Sequence, residues 1–148
     1  MTRAEIIYLI PYFGSLLFSI AILLYARSKR RAQGAIAYSW YMLGESLWIS
    51  GFILELVSRD LAGKIFWDGF QWLAIHLLII ALPVFAVQFT DHKLRKPRAL
   101  FLASFLVPAL FTLVLATDRY HHWVYNQPIL SPGFPFSVLL YNDTPVFI

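Results

Sequence analysis

The sequence predicts an all-α integral membrane protein, a bundle of four transmembrane helices with its N-terminus outside the cell. Three observations carry that expectation. Of the 148 residues, 59% are hydrophobic and only 14% are charged, where a water-soluble domain carries about a quarter charged residues. Four apolar runs are each long enough to cross a bilayer, since roughly 20 helical residues span a 30 Å hydrocarbon core. The Lys and Arg residues gather in two of the three connections between those runs.

The first run covers residues 6–26. It is too long for the apolar part of a cleaved signal, and no small-residue cleavage site precedes the basic segment after it. Pro11 is placed in an opening turn, where a missing N–H does no harm. The other runs cover residues 35–57, 67–89 and 98–116. All four are read as helices, because backbone polar groups in lipid must be satisfied within the segment or in a closed barrel. They are too long and too weakly alternating for barrel strands. Pro83 and Pro108 are interior and predict kinks. Ser15 with Ser19, and Ser46 with Ser50, have the small-xxx-small spacing that lets helices approach closely. Residues 117–148 are rich in Pro, Gly, Asn and aromatics and show no periodic pattern. They are expected to form an extracytoplasmic loop, with Tyr120, Trp123 and Tyr125 at the interface. Its last residues, TPVFI, look like the approach to a fifth helix that does not follow. One transmembrane domain over 1–148 is therefore expected.

Charge placement sets the orientation. The connection ARSKRRAQG holds Arg27, Lys29, Arg30 and Arg31, and TDHKLRKPR holds Lys93, Arg95, Lys96 and Arg98. Eight of the twelve Lys and Arg residues thus lie on one side. The connection SRDLAGKIFWD mixes Arg59 and Lys64 with Asp60 and Asp68. By the positive-inside rule the basic loops are cytoplasmic and both chain ends are outside, in a multi-pass protein of the inner (plasma) membrane. Both basic clusters are short and flush with helix ends, where topology signals belong, so no nucleic-acid partner is expected. Cysteine is absent, which excludes disulfides, thiolate metal sites and a cysteine nucleophile.

Polar residues inside spans are costly and usually face other helices or water. Glu55 lies within a turn of the outer end of the second helix, and Gln71 enters the third from the same side. Together they are expected to help line a small-ligand site that opens outward under the loop after the fourth helix. The plainer reading of Glu55 is an ion pair with Arg59, one helical turn on. Glu45 and His76 both lie near mid-bilayer, about one turn apart in depth. They are read either as a proton- or ligand-sensitive pair, or as a structural hydrogen bond or a contact with a missing helix or partner subunit. Haem ligation needs two imidazoles at one depth. His92, His121 and His122 fall in loops, so His76 has no such partner within one chain. His121 and His122 near Asp118 lack further ligands for a metal. No cofactor or metal is expected. No catalytic constellation is present, so the chain is not read as an enzyme.

Several stretches together resemble the N-terminal seven-transmembrane (7TM) region of sensor histidine kinases. They are Trp48 with LELVSRDLAGKIFWDGFQW, then LPVFAVQFTDH, then VPALFTLVLATDRYHHW. Phe52, Glu55, Leu56 and Ser58 fit the element closing the family's second helix. Gln71, Leu82 and Pro83 fit the third, and Thr117, Asp118 and His121 fit the segment after the fourth. The resemblance implies the first four helices of a seven-helix sensory region, with three helices and the kinase parts not included. It implies a role in two-component signal transduction, taking a signal from a small ligand or from the membrane side. An alternative of another class is a non-enzymatic accessory subunit of a larger membrane complex. The expected partners are the lipid bilayer, other transmembrane helices from this chain, a homodimer or a complex, and a small-molecule ligand.

Overall fold

The computed structural model describes residues 1–90 and 97–142. Lys93, Arg95 and Lys96 of the basic connection, His92, and residues 143–148 lie outside the described residues. Four helices are present, α1 (Arg3–Ser28), α2 (Ala35–Val57), α3 (Leu61–Thr90) and α4 (Pro97–His121), followed by strands β1 (Asn126–Ser131) and β2 (Val138–Asn142).

Local chemistry sets where the helices begin and end. Thr2 and Glu5 form a capping box, with the Thr2 N–H donating to Glu5 Oε2 at 2.6 Å and the Glu5 N–H donating to Thr2 Oγ1 at 3.3 Å. The helix therefore starts at Arg3, and Pro11 stands inside it, not in the opening turn as expected. The α2 helix starts after Gly34, whose φ of 76° is a left-handed conformation that favours glycine. The Phe85 ring would lie 3.1 Å from a Cβ there, so both backbone and space ask for glycine. At its other end α2 stops at Ser58, which is extended. Asp60 then caps α3, its Oδ2 accepting from the Gly63 N–H at 2.8 Å. The third helix consequently begins at Leu61 rather than Trp67, and Lys64 becomes helical. The fourth helix runs beyond residue 116 through Thr117, Asp118 and Arg119 to His121.

The helices run up and down in chain order. Leu9 of α1 packs with Ile49 and Ile53 of α2, and further along Ser19 Oγ meets Ser46 Oγ at 3.0 Å. Only one member of each predicted serine pair lies in that contact; Ser15 is exposed. On its opposite face α2 approaches α3 through Gly44 and Gly51. A Cβ on Gly44 would stand 3.0 Å from Leu77 Cβ and 3.2 Å from the Ala74 carbonyl oxygen. Gly44→Val is accordingly expected to force α2 and α3 apart at a cost of about 2 kcal/mol, seen as a lower thermal midpoint in detergent. Helix α4 packs on α3, with Phe111 against Trp72 at 4.9 Å between ring centroids.

Three helices, α1, α3 and the Leu102–His121 part of α4, are long and apolar enough to cross a membrane. Large apolar side chains such as Leu17, Phe18, Leu82, Leu102 and Phe105 are exposed along them. So continuous an apolar surface is solvated by lipid tails. Helix α2 is not among the three and carries Glu45, Glu55 and three serines. Its place between α1 and α3 explains the difference, because two of its faces meet protein and only a strip meets lipid.

The stretch without periodicity after α4 contains an antiparallel hairpin. Ile129 pairs with Leu140, Leu130 with Leu139 and Ser131 with Val138, while the register shifts between Asn126 and Ile129, where Gln127 has positive φ. The tip of this hairpin folds back over the bundle, and Phe136 packs on the Leu9, Ile49 and Ile53 cluster. Chain start, α2–α3 junction and hairpin tip thus share one end of the bundle. Met1, Glu5, Val57, Arg59, Pro135 and Ser137 border the same small cavity there. The first basic connection, with Lys29, Arg30 and Arg31, lies at the other end.

Candidate functional site beneath the hairpin

The shared end of the bundle holds three of the six buried polar or charged side chains among the described residues, Lys64, Gln71 and Asp118. Gln71 Nε2 donates to Glu55 Oε2 at 2.7 Å, joining the two residues the sequence placed at one depth. Gly51 makes this approach possible. A Cβ there would stand 2.9 Å from Gln71 Cγ. The expected Glu55–Arg59 pair is not formed. Because α2 ends at Val57 and Ser58 is extended, Arg59 is no longer one helical turn from Glu55, and it is exposed.

Lys64, read from sequence as a loop residue, is 0% exposed. Its Nζ donates to the Glu55 backbone carbonyl at 2.8 Å, so an ammonium group closes the C-terminal end of α2. Asp68, one turn further along α3, accepts from the Tyr125 hydroxyl at 2.6 Å. Burial, and next the neighbouring Asp68 carboxylate, push the Tyr125 hydroxyl far above its ordinary range, so it remains a donor. Burial also raises Tyr141, helped by the Asp68 and Glu55 charges. Tyr141 meets Tyr125 edge-on at 5.7 Å. Tyr125, just ahead of β1, thus reaches the Asp68 carboxylate of α3, with Tyr141 of β2 against its ring.

Asp118 ties the hairpin to α4. It is buried, its Oδ1 accepting from the Val124 N–H at 2.7 Å and its Oδ2 from the Tyr125 N–H at 3.1 Å. His121 supports the turn. Its Nδ1 accepts from the Trp123 N–H at 3.1 Å, which places the proton on Nε2, 3.1 Å from Thr117 Oγ1. Thr117 passes its own proton to the Leu113 carbonyl at 2.7 Å. The Thr117, Asp118 and His121 motif is therefore a device that fixes the chain as it leaves the helix.

A cavity of about 250 Å³ lies between this end of α2 and the hairpin tip. Tyr8, Phe52, Glu55, Phe134, Phe136 and Val138 are among its walls. Glu55 is the one carboxylate among the described residues that line it. Among the described residues Oε1 of Glu55 accepts no hydrogen bond, while Oε2 is taken by Gln71.

Glu45 and His76 are not brought together. His76 Nδ1 lies 3.0 Å from Thr112 Oγ1 on α4, and its ring meets Phe111 edge-on. Thr112 donates to the Pro108 carbonyl, so His76 Nδ1 is the donor in the pair. The reason is rotation about the helix. Ala74 faces Gly44 of α2, and two residues further on the side chain has turned by about 200°, toward α4. Glu45 is half-buried on the flank of α2 between its α1 and α3 faces, without a hydrogen bond or ion pair among the described residues. Among those residues no three His, Asp or Glu side chains are grouped to hold a metal ion.

Sequence reasoning missed Lys64, Asp68, Tyr125 and the anchoring role of Asp118. The Lys64–Asp68 spacing of four was a usable signal, had α3 been started at the Asp60 cap.

Residues 11–148 match the family model of the N-terminal 7TM region of histidine kinase. No curated protein and no solved structure was found to match. The matched region is the sensory part of such kinases, distinct from their catalytic domain. With its apolar helices and this match over nearly the whole length, the chain belongs to the N-terminal 7TM region family of histidine kinases, a membrane-embedded sensory region of signal transduction.

Proposed function

We propose that this region takes its signal at the hairpin end of the bundle, outside the cytoplasm, by binding a small molecule beside Glu55 and Gln71. The observation that carries the reading is the cavity with a half-free carboxylate under a tethered hairpin. Bound ligand would favour one arrangement of hairpin and α2 over another, and only that difference in affinity does the signalling work. Helix α2 is well placed to pass it on, since it packs on α1 and α3 along its length and its N-terminus follows the basic connection. That connection is cytoplasmic in this reading, by the positive-inside rule, and the membrane is the inner (plasma) membrane. The family match favours this sensory role over that of an accessory structural subunit.

The absence of cysteine allows a direct test. Phe134 is 90% exposed at the hairpin tip, and Ser137 lines the cavity. In intact cells a small membrane-impermeant thiol reagent is expected to label Phe134→Cys rapidly and Ser137→Cys more slowly. Arg30→Cys should react only after permeabilisation. Labelling of Arg30→Cys in intact cells with protection of Phe134→Cys would overturn the orientation, and an unreactive Ser137→Cys would overturn an open site.

A further inference from the structure

We infer that the cavity beneath the hairpin takes a small organic cation, a quaternary ammonium or protonated amine carrying apolar substituents. This deepens the proposed function and rests on its reading of Glu55 as a ligand-facing group.

The walls make the choice. Tyr8, Phe52, Phe134 and Phe136 put four aromatic rings around the space, and Glu55 puts one carboxylate in it. Three of these rings belong to a connected set, with Tyr8 5.8 Å from Phe136 and 5.6 Å from Tyr12, and Tyr12 5.1 Å from Phe52. Aromatic faces carry negative partial charge and attract cations, most strongly where water is excluded. Among the described residues that line the cavity there is no Lys, Arg or His. The buried ammonium nearby, Lys64, is directed at the Glu55 backbone carbonyl rather than into the space.

Charge and size agree. Lys64, the buried cation nearby, spends its Nζ on the Glu55 backbone carbonyl, so no cation among the described residues forms an ion pair with the Glu55 carboxylate. An anionic ligand would meet a carboxylate with only the Ser137 segment to offer donors. A neutral apolar ligand would leave Glu55 Oε1 desolvated without a partner, which is costly. A cation satisfies both the oxygen and the rings. Drug-sized ligands fill pockets of about 300–1,000 Å³, so a space of about 250 Å³ suits a smaller group such as a trimethylammonium head. Such a head could come from a free solute or from an amine-bearing lipid, because the cavity lies at the end of the membrane-crossing helices.

The test uses the chain in nanodiscs of phosphatidylglycerol, which offer no amine headgroup. Binding of tetramethylammonium and choline is compared with that of the neutral isostere 3,3-dimethylbutan-1-ol and the anion 3,3-dimethylbutanoate. The cations are expected to bind at least roughly tenfold more tightly than the isostere. Glu55→Gln, which keeps an acceptor for the Gln71 amide, should abolish that preference, and Tyr8→Leu should weaken it without unfolding an already half-open helix face. In nanodiscs containing phosphatidylcholine, competition against free choline would identify the lipid head as the source. Unchanged choline binding there would identify a free solute, and both results support a cation site. Equal binding of isostere and choline, or tighter binding of the anion, would overturn the cation while leaving the small-ligand site standing. Absence of binding by every probe would also overturn it, and the thiol-labelling result decides the site reading separately.

Discussion

Asp118→Ala is expected to release the hairpin from the bundle while leaving the four helices intact. Its carboxylate accepts from two consecutive backbone N–H groups, those of Val124 and Tyr125, in a position only 6% exposed. Hydrogen bonds to a charged acceptor are worth about 1.5–3 kcal/mol each. The freed N–H groups can recover water once the hairpin lifts, so the net loss should be about 3 kcal/mol, near the cost of one such bond plus part of the second. Among the described residues its other ties include the Trp123–His121 bond, the Tyr125–Asp68 bond and the packing of Phe136 on the Leu9 cluster. The loss is therefore local, and amide exchange across Asn126–Asn142 should quicken by roughly a hundredfold, with the α2 and α3 amides unaffected. Asp118→Asn keeps one acceptor oxygen and should fall between. Uniform quickening in all elements would show that Asp118 supports the whole bundle and not the hairpin alone.

This anchoring arrangement also explains what was legible in the sequence. The helices were plain because apolar runs of about 20 residues have few other solutions in lipid. Depth was legible too. Counting residues from helix ends put Glu55 and Gln71 at one level, and they meet. Rotation was not, because depth says nothing about which neighbour a side chain faces; hence Glu45 and His76 lie at similar levels yet point to different partners. The start of α3 was obscured by its own function. Lys64 and Asp68 look like loop residues in LAGKIFWD, and only their partners, the Glu55 carbonyl and the Tyr125 hydroxyl, make them interior ones. The hairpin was hidden for another reason. Its strands are short, Pro128 and the positive φ of Gln127 interrupt β1, and an isolated hairpin is marginal in water. It persists through contacts with α3 and α4 that no local pattern announces.

The hairpin and the charge cluster are therefore one unit seen from two sides. Tyr125 belongs to the hairpin by its backbone, which Asp118 holds, and to the cluster by its hydroxyl, which Asp68 accepts. A ligand that alters the charge balance at Glu55 is thus within reach of the tether that positions the roof.

That coupling makes Lys64→Met the second substitution with a large expected effect. Methionine nearly matches the length of the lysine stem and fills its space, so the change removes charge and donor while keeping most of the packing. Lys64 is fully buried, donates to the Glu55 carbonyl, and stands one helical turn before Asp68 on α3. Taking one partner from a buried charge cluster typically costs about 3–5 kcal/mol. Here the Ser58 N–H also reaches the Glu55 carbonyl, at 3.2 Å, so the oxygen is not wholly abandoned and about 3 kcal/mol is expected. The sharper forecast is the double substitution. If the cost lies in an uncompensated carboxylate, adding Glu55→Gln should restore about 1–2 kcal/mol, although Glu55→Gln alone, which keeps a partner for Gln71, should be nearly neutral. Thermal unfolding of the two single variants and the double variant in one detergent closes the cycle. Strict additivity would mean that Lys64 acts only as the cap on α2, and that the cluster beneath the hairpin carries no charge balance for a ligand to disturb.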